Sequence, residues 1–202
     1  MSGQLISLAD ASRLLVVSPE RVRQLVVAGD LPAQRFGNAW AVPRDAVIAR
    51  RHAVHRGGRP LGARRAWGEI ISGDVDLTRP GRYLRRASVL RCEISSADIE
   101  ALPQIAGAML SGVRAAIELG APLLAADEHD LYIEHGRLED LQRNVAMVAD
   151  PLGRVRLRIV DDAVWEAISQ HAHAPAGAVA LDLLDSADPR YWIAAEKLVS
   201  DA

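Results

Sequence analysis

The stretch Ser18-Pro-Glu-Arg-Val-Arg-Gln-Leu-Val-Val-Ala-Gly29 decides how the first part of the chain is read. Ser18 is a side-chain cap for the orphan N–H groups of a helix start, and Pro19 sits where a missing N–H costs nothing. Gly29 supplies the stop, so a helix is expected over Pro19 to Ala28. At 3.6 residues per turn, Val22, Leu25 and Val26 share one side, Glu20, Arg23, Gln24 and Val27 lie opposite, and Arg21 falls on the flank. The apolar side needs a core, and the polar side is free to read something.

Upstream, Ser7 caps a helix expected over Leu8 to Val16, with Asp10 three residues on in a capping-box spacing and Leu8, Ala11, Leu14 and Leu15 on one face. Downstream, Leu31 to Phe36 and Ala39 to Val42 read as two short strands joined by Gly37-Asn38, a pair suited to the positive φ angles of a tight hairpin. Trp40 is expected to pack beneath that hairpin as core, where a strand tryptophan usually lies. Pro43 ends the strand, and Arg44-Asp45 lead into a short helix through Ala46, Val47 and Ile48.

The runs Ser7-Leu-Ala-Asp-Ala-Ser-Arg-Leu-Leu15, Ser18-Pro-Glu-Arg-Val-Arg23, Ala28-Gly-Asp-Leu-Pro-Ala33 and Phe36-Gly-Asn-Ala-Trp-Ala-Val-Pro43 resemble the excisionase and MerR-type winged helix-turn-helix family. The resemblance covers about residues 5 to 50. It implies that the second helix enters the major groove of double-stranded operator DNA and that the hairpin rests on the backbone or the adjacent minor groove. By position, Glu20, Arg21, Arg23 and Gln24 are the base-reading candidates below Ser18 at the helix head, and Arg35 and Asn38 the phosphate contacts. An arginine fork or a glutamine amide discriminates base edges, whereas hairpin contacts mainly fix register. Glu20 equally suits the positive end of the helix dipole, and the module as a whole has a protein-binding role as its alternative.

The formal net charge of −2 hides a division. Residues 1–91 hold 16 arginines against 7 acids, and residues 92–202 hold 8 basic residues against 19 acids. Such a split suggests that the basic half meets a polyanion while the acidic half meets something else or tempers the first electrostatically. All basic residues but Lys197 are arginine, the residue whose fork matches phosphate and guanine. With 50% hydrophobic residues, 4% aromatic residues and a single cysteine, Cys92, the core must be aliphatic and free of internal disulfides. No apolar run approaches the roughly 18 residues of a membrane span and no signal-peptide pattern opens the chain, so a cytoplasmic protein with no membrane association is expected.

Three segments are expected: a winged helix-turn-helix domain over residues 1–50, a basic linker with a connecting helix over 51–81, and an α+β domain over 82–202. From Ala46 to Gly68 there is no acid, while Arg50, Arg51, Arg56, Arg59, Arg64 and Arg65 surround Gly57-Gly58. Arg56-Gly-Gly-Arg-Pro60 resembles the Arg-Gly-Arg-Pro core of an AT-hook with one glycine inserted. Minor-groove insertion by Arg56 and Arg59, phosphate contact and a solvated linker are the three readings of this run. A helix is expected over Leu61 to Ser72, with a boundary at Arg79-Pro80-Gly81.

Beyond it, a strand is expected around Val89 to Ile94. A helix follows across Ala106, Met109, Leu110, Val113, Ala116 and Ile117, with Gly120 as its stop. A strand at Leu131 to Glu134 comes next, then a hairpin of Val145–Val148 with Val155–Val160. Helices near Ala178–Leu184 and Pro189–Val199 close the chain. In the second hairpin strand, Val155, Leu157 and Ile159 take one face and Arg154, Arg156 and Arg158 the other. The run Asp127-Glu-His-Asp130 and the pair His171 and His173 lack the supporting spacing of a metal site, and Cys92 lacks an identifiable base. No catalytic residue, metal or cofactor is therefore expected, and the chain is read as nonenzymatic.

The later segments Gly58-Arg-Pro-Leu-Gly-Ala-Arg-Arg-Ala-Trp67, Leu110-Ser-Gly-Val-Arg-Ala-Ala116, Asp130-Leu-Tyr-Ile133, Gly153-Arg-Val-Arg-Leu-Arg-Ile-Val160 and Ala180-Leu-Asp-Leu-Leu-Asp-Ser-Ala-Asp-Pro-Arg190 resemble AbiEi-like antitoxins and related regulators. The resemblance implies a transcriptional repressor of its own promoter, in a toxin–antitoxin system, whose C-terminal domain counteracts a cognate nucleotidyltransferase toxin. Asp182 and Arg190 within these segments are read as structural. One winged domain has a small footprint, consistent with a homodimer on two half-sites. The alternative is a stand-alone winged-helix regulator whose C-terminal domain dimerises or senses a ligand.

Overall fold

The computed structural model describes residues 4–55, 59–171, 173–186 and 188–200. It is a mixed α+β protein with two sheets. The smaller sheet carries β1 (Leu5–Ser7), β2 (Gln34–Phe36) and β3 (Ala39–Pro43) in the order β1-β3-β2, all antiparallel. Against it lie α1 (Leu8–Leu15), α2 (Pro19–Val27) and α3 (Arg44–His55). Ala11, Val22, Leu25, Leu31, Val42 and Val47 seal a small core between them. The caps form as their residues dictate: Ser7 Oγ accepts from Asp10 N at 3.1 Å, and Ser18 Oγ from Arg21 N at 3.2 Å. β1 adds a strand to the expected hairpin.

Two expectations near this module are corrected. Trp40 is half-buried and lies outside the small core, with the Arg35 guanidinium 5.9 Å from its ring. The helix expected around Ala46 runs on to His55, into the stretch expected as linker. Arg50 helps to hold it there, because Nη1 donates to Asp30 O at 2.8 Å. Residues 56–58, including Arg56 and the Gly57-Gly58 pair, lie outside the described residues.

α4 (Ala63–Ile71) packs its Ala66, Trp67 and Ile70 into the larger core, which it shares with α9 (Ala176–Leu184) and α10 (Pro189–Ser200). This part of the expected linker is thus built into the larger core. The boundary expected at Arg79–Gly81 meets a 3-10 turn, Pro80–Tyr83, whose Pro80, Gly81 and Tyr83 are buried.

The larger sheet consists of β4 (Ser88–Ile94), β5 (Met109–Ser111), β6 (His129–Glu134), β7 (Met147–Ala149) and β8 (Val155–Val160), in the order β5-β6-β8-β4-β7. Only the central β6–β8 pair is parallel. Side chains alternate across it as the pleat requires. Leu131, Ile133, Val155 and Leu157 enter a core with α5 (Ser96–Ala106) and α7 (Leu138–Asn144), whereas Tyr132 and Val160 enter the core shared with α6 (Gly112–Glu118), α8 (Asp162–Ile168) and α9.

The helix expected across Ala106–Ile117 is instead the last residue of α5, the strand β5 and most of α6. Gly107 ends α5 at φ 60°, and Gly112 begins α6 at φ 58°. A side chain at Gly112 would have its Cβ 2.5 Å from Asp130 Oδ2. The expected hairpin is also corrected: β7 and β8 both pair with β4, which lies between them. The connection passes tightly over β4, since a Cβ at Gly153 would sit 2.3 Å from the Cys92 carbonyl carbon. Asp150 N donates to Arg91 O at 3.0 Å and Arg91 Nε to Gly153 O at 2.7 Å, fixing this crossing.

Candidate nucleic-acid interface

The second helix is held from behind and open in front. Val22 and Leu25 anchor α2 in the small core, while Ser18, Glu20, Arg21, Arg23, Gln24 and Val27 are exposed. The long polar side chains are arranged in pairs along the helix. Arg23 Nε lies 3.2 Å from Glu20 Oε2, and Arg21 Nη1 donates to Gln24 Oε1 at 3.1 Å. Exposed pairs of this kind contribute only about 0.2–1 kcal/mol, so they hold the forks extended without preventing exchange for another partner. Glu20 also sits in the first turn, where the helix dipole favours its charge.

The β2–β3 hairpin packs on the same small core through Val42 of β3, with Leu31 of the preceding segment in the same core. Gly37 takes the positive φ of 58° that its turn needs, and Asn38 beside it is exposed. Arg35 folds back, donating from Nε to Gly37 O at 3.0 Å. The base-reading candidates are thus brought together on α2, and Arg35 with Asn38 on the hairpin. Arg59 is exposed in the segment before α4, and Arg56 lies outside the described residues.

Arg50, expected in the basic run as a phosphate contact or part of a solvated linker, is instead held by Asp30. Burial pushes its guanidinium pKa down, Asp30 opposes that shift, and the Arg21 charge adds to it. Arg50 therefore links α3 to the end of α2 across 20 residues of sequence, a separation that leaves no local signal.

In the larger unit the chemistry-bearing residues are engaged with one another. Asp182 is buried among Arg86, Arg158, Tyr132 and Ser111. Burial raises its carboxyl pKa, and Arg158 and Arg86 oppose that effect. For Asp185, burial acts upward but is outweighed by Arg86, Arg158 and Arg156, which hold the carboxyl below its ordinary range. Asp130 pairs with Arg158 at 2.9 Å and with Arg156 at 3.2 Å. Glu128 also pairs with Arg156. His129 Nδ1 lies 3.5 Å from Arg114 Nη1. Glu128, His129 and Asp130 are thus tied into arginine contacts, and no group of three metal-ligating side chains occurs among the described residues. Burial, with Glu93 adding to it, pushes the Cys92 thiol up to about 12, so it stays protonated at neutral pH. Arg190 is exposed and pairs with Asp188 at 2.6 Å.

A cavity of about 160 Å³ opens between α6, α9 and α10, lined by Leu119, Ala121, Ala194, Leu198 and Lys197. No helix among the described residues is long and apolar enough to cross a membrane. No protein-family model, curated protein or solved structure matches this chain.

Proposed function

We propose that the protein is a cytoplasmic, DNA-binding transcriptional repressor whose residues 1–50 act as a winged helix-turn-helix. The observation that carries this reading is α2, with its apolar side sealed by Val22 and Leu25 and its exposed side set with Glu20, Arg21, Arg23 and Gln24. In this reading α2 lies in the major groove of duplex DNA and the β2–β3 hairpin contacts the backbone beside it. Enrichment of a common sequence from a random duplex library by the full-length protein tests it. Recovery of no duplex contradicts it.

The reading extends to an antitoxin, on the strength of the motif segments after residue 58. The acidic larger unit counteracts a nucleotidyltransferase-type toxin encoded nearby, and a homodimer places two copies of α2 on two half-sites. Expressing the neighbouring gene alone and with this protein tests that part: toxicity relieved by co-expression supports it, and a harmless, well-expressed neighbour contradicts it. The cavity between α6, α9 and α10 favours a second reading, a stand-alone regulator that senses a small apolar ligand beside Lys197.

A further inference from the structure

Ion pairing divides the molecule unevenly. After residue 91, each described arginine has a carboxylate within 4.0 Å: Arg114, Arg137, Arg143, Arg154, Arg156, Arg158 and Arg190 all do. Before it, Arg44, Arg51, Arg59, Arg64 and Arg85 are exposed and have neither an ion pair nor a side-chain hydrogen bond among the described residues. These five come from segments that meet. α3 packs against the 3-10 turn Pro80–Tyr83, α4 packs against the same turn, and Leu61 N donates to Arg82 O at 2.8 Å.

The neighbouring side chains on α3 show which way its free arginines point. At 100° per residue, Arg44 and Arg51 fall about 20° apart on the helix. Asp45 is turned toward the larger unit, where it meets Arg91 at 3.3 Å, and Arg50 is turned toward Asp30. Arg44 and Arg51 lie roughly 100–120° around the helix from each of these two contacts, and both are exposed. The segments that carry these exposed, unpaired guanidinium groups pack against one another, and planar guanidinium forks match phosphate oxygens.

We propose that Arg44, Arg51, Arg59, Arg64 and Arg85 form a second, sequence-independent contact surface for the phosphates of duplex DNA, which carries the bound duplex past α2 and onto the larger unit. The inference rests on the DNA-binding reading above and adds to it a track formed by the junction of the two units. This surface contributes affinity and salt dependence to every duplex, whereas α2 contributes discrimination.

The test uses full-length protein, a random-sequence duplex of roughly 40 base pairs and a salt titration of the affinity. Replacing Arg51, Arg64 and Arg85 together by alanine should flatten the slope of log affinity against log salt by about 0.9 per arginine, close to 3 in all. Lysine at the same three positions should restore the slope, because the charges return. Thermal melting of all three proteins separates loss of contact from loss of fold. An unchanged slope in a folded alanine variant overturns this inference and leaves the α2 reading standing. A wild-type protein that binds no duplex overturns both.

Discussion

Asp182 Oδ1 on α9 lies 3.1 Å from Arg158 Nε on β8, with the aspartate side chain fully enclosed and the arginine side chain 2% exposed. The same carboxylate takes Arg86 Nη2 at 2.5 Å and accepts the Tyr132 hydroxyl at 3.1 Å. One buried acid thus ties the covering helix to the two central strands and to the segment after the 3-10 turn. Replacing it leaves Asp185 to face Arg86 and Arg158, and Asp130 to face Arg158, so the buried guanidinium groups lose part of their counter-charge out of water, which costs more than the pair itself contributes. Asp182→Ala should lower stability by about 3 kcal/mol or more in urea unfolding. Glu100→Ala, which breaks the exposed pair with Arg114, should stay within roughly 0.5 kcal/mol of wild type.

Val16 ends α1 in the left-handed region at φ 56° and is 73% exposed. A β-branched residue there carries backbone strain and gains little from burial. Val16→Gly should therefore raise stability by roughly 0.5–1 kcal/mol, since relief of strain exceeds the added chain entropy of glycine. A lower urea midpoint would contradict that account of the turn.

Gly153 has no space for a methyl group, because a Cβ would meet the Cys92 carbonyl carbon and oxygen at 2.3 Å each. Backbone on both sides leaves nothing flexible to give way. Gly153→Ala should separate the 150–153 crossing from β4 and cost on the order of 3 kcal/mol, read from soluble yield and the melting temperature. Wild-type melting would show that β7 and β8 do not flank β4 in this way.

His129 has its pKa lowered from the ordinary 6.5, first by burial and then by the Arg114 charge. A lowered value means that the unfolded chain binds the proton more readily. Stability from this group is complete above pH 6.5 and is lost as the pH falls through the lower folded value. Urea midpoints should fall between pH 7.5 and pH 5.5, and His129→Gln should reduce that fall. Identical pH dependence in the two proteins would remove His129 as a source.

What was legible in the sequence was local. Ser18, Pro19 and Gly29 bracket α2 within a dozen residues, and Gly37-Asn38 marks its hairpin, because caps and turns are satisfied by near neighbours. The strand order was not legible, since β4 meets β8 across more than 60 residues and no short-range pattern specifies that β7 lies on its other side. The spacing of Met109, Leu110 and Val113 fits one face of a helix, yet Gly112 with Asp130 against it divides the run into strand and helix. The length of α3 was hidden for a related reason. Its arginine-rich second half has no apolar repeat, and its contacts with Asp30 and the 3-10 turn are tertiary. At the candidate interface the exposed face of α2 was readable from helical periodicity, whereas the anchoring of Arg50 and the division between paired and unpaired arginines required the fold.

The most direct measurement is the affinity of the full-length protein for its selected duplex and for a scrambled duplex, compared between wild type and the Arg23→Ala/Gln24→Ala variant. With α2 in the major groove, the variant keeps its fold and its affinity for the scrambled duplex. Its preference for the selected duplex should fall by at least tenfold, about 1–3 kcal/mol for each lost bidentate contact. An undiminished preference in the folded variant would contradict the assignment of α2 as the reading helix.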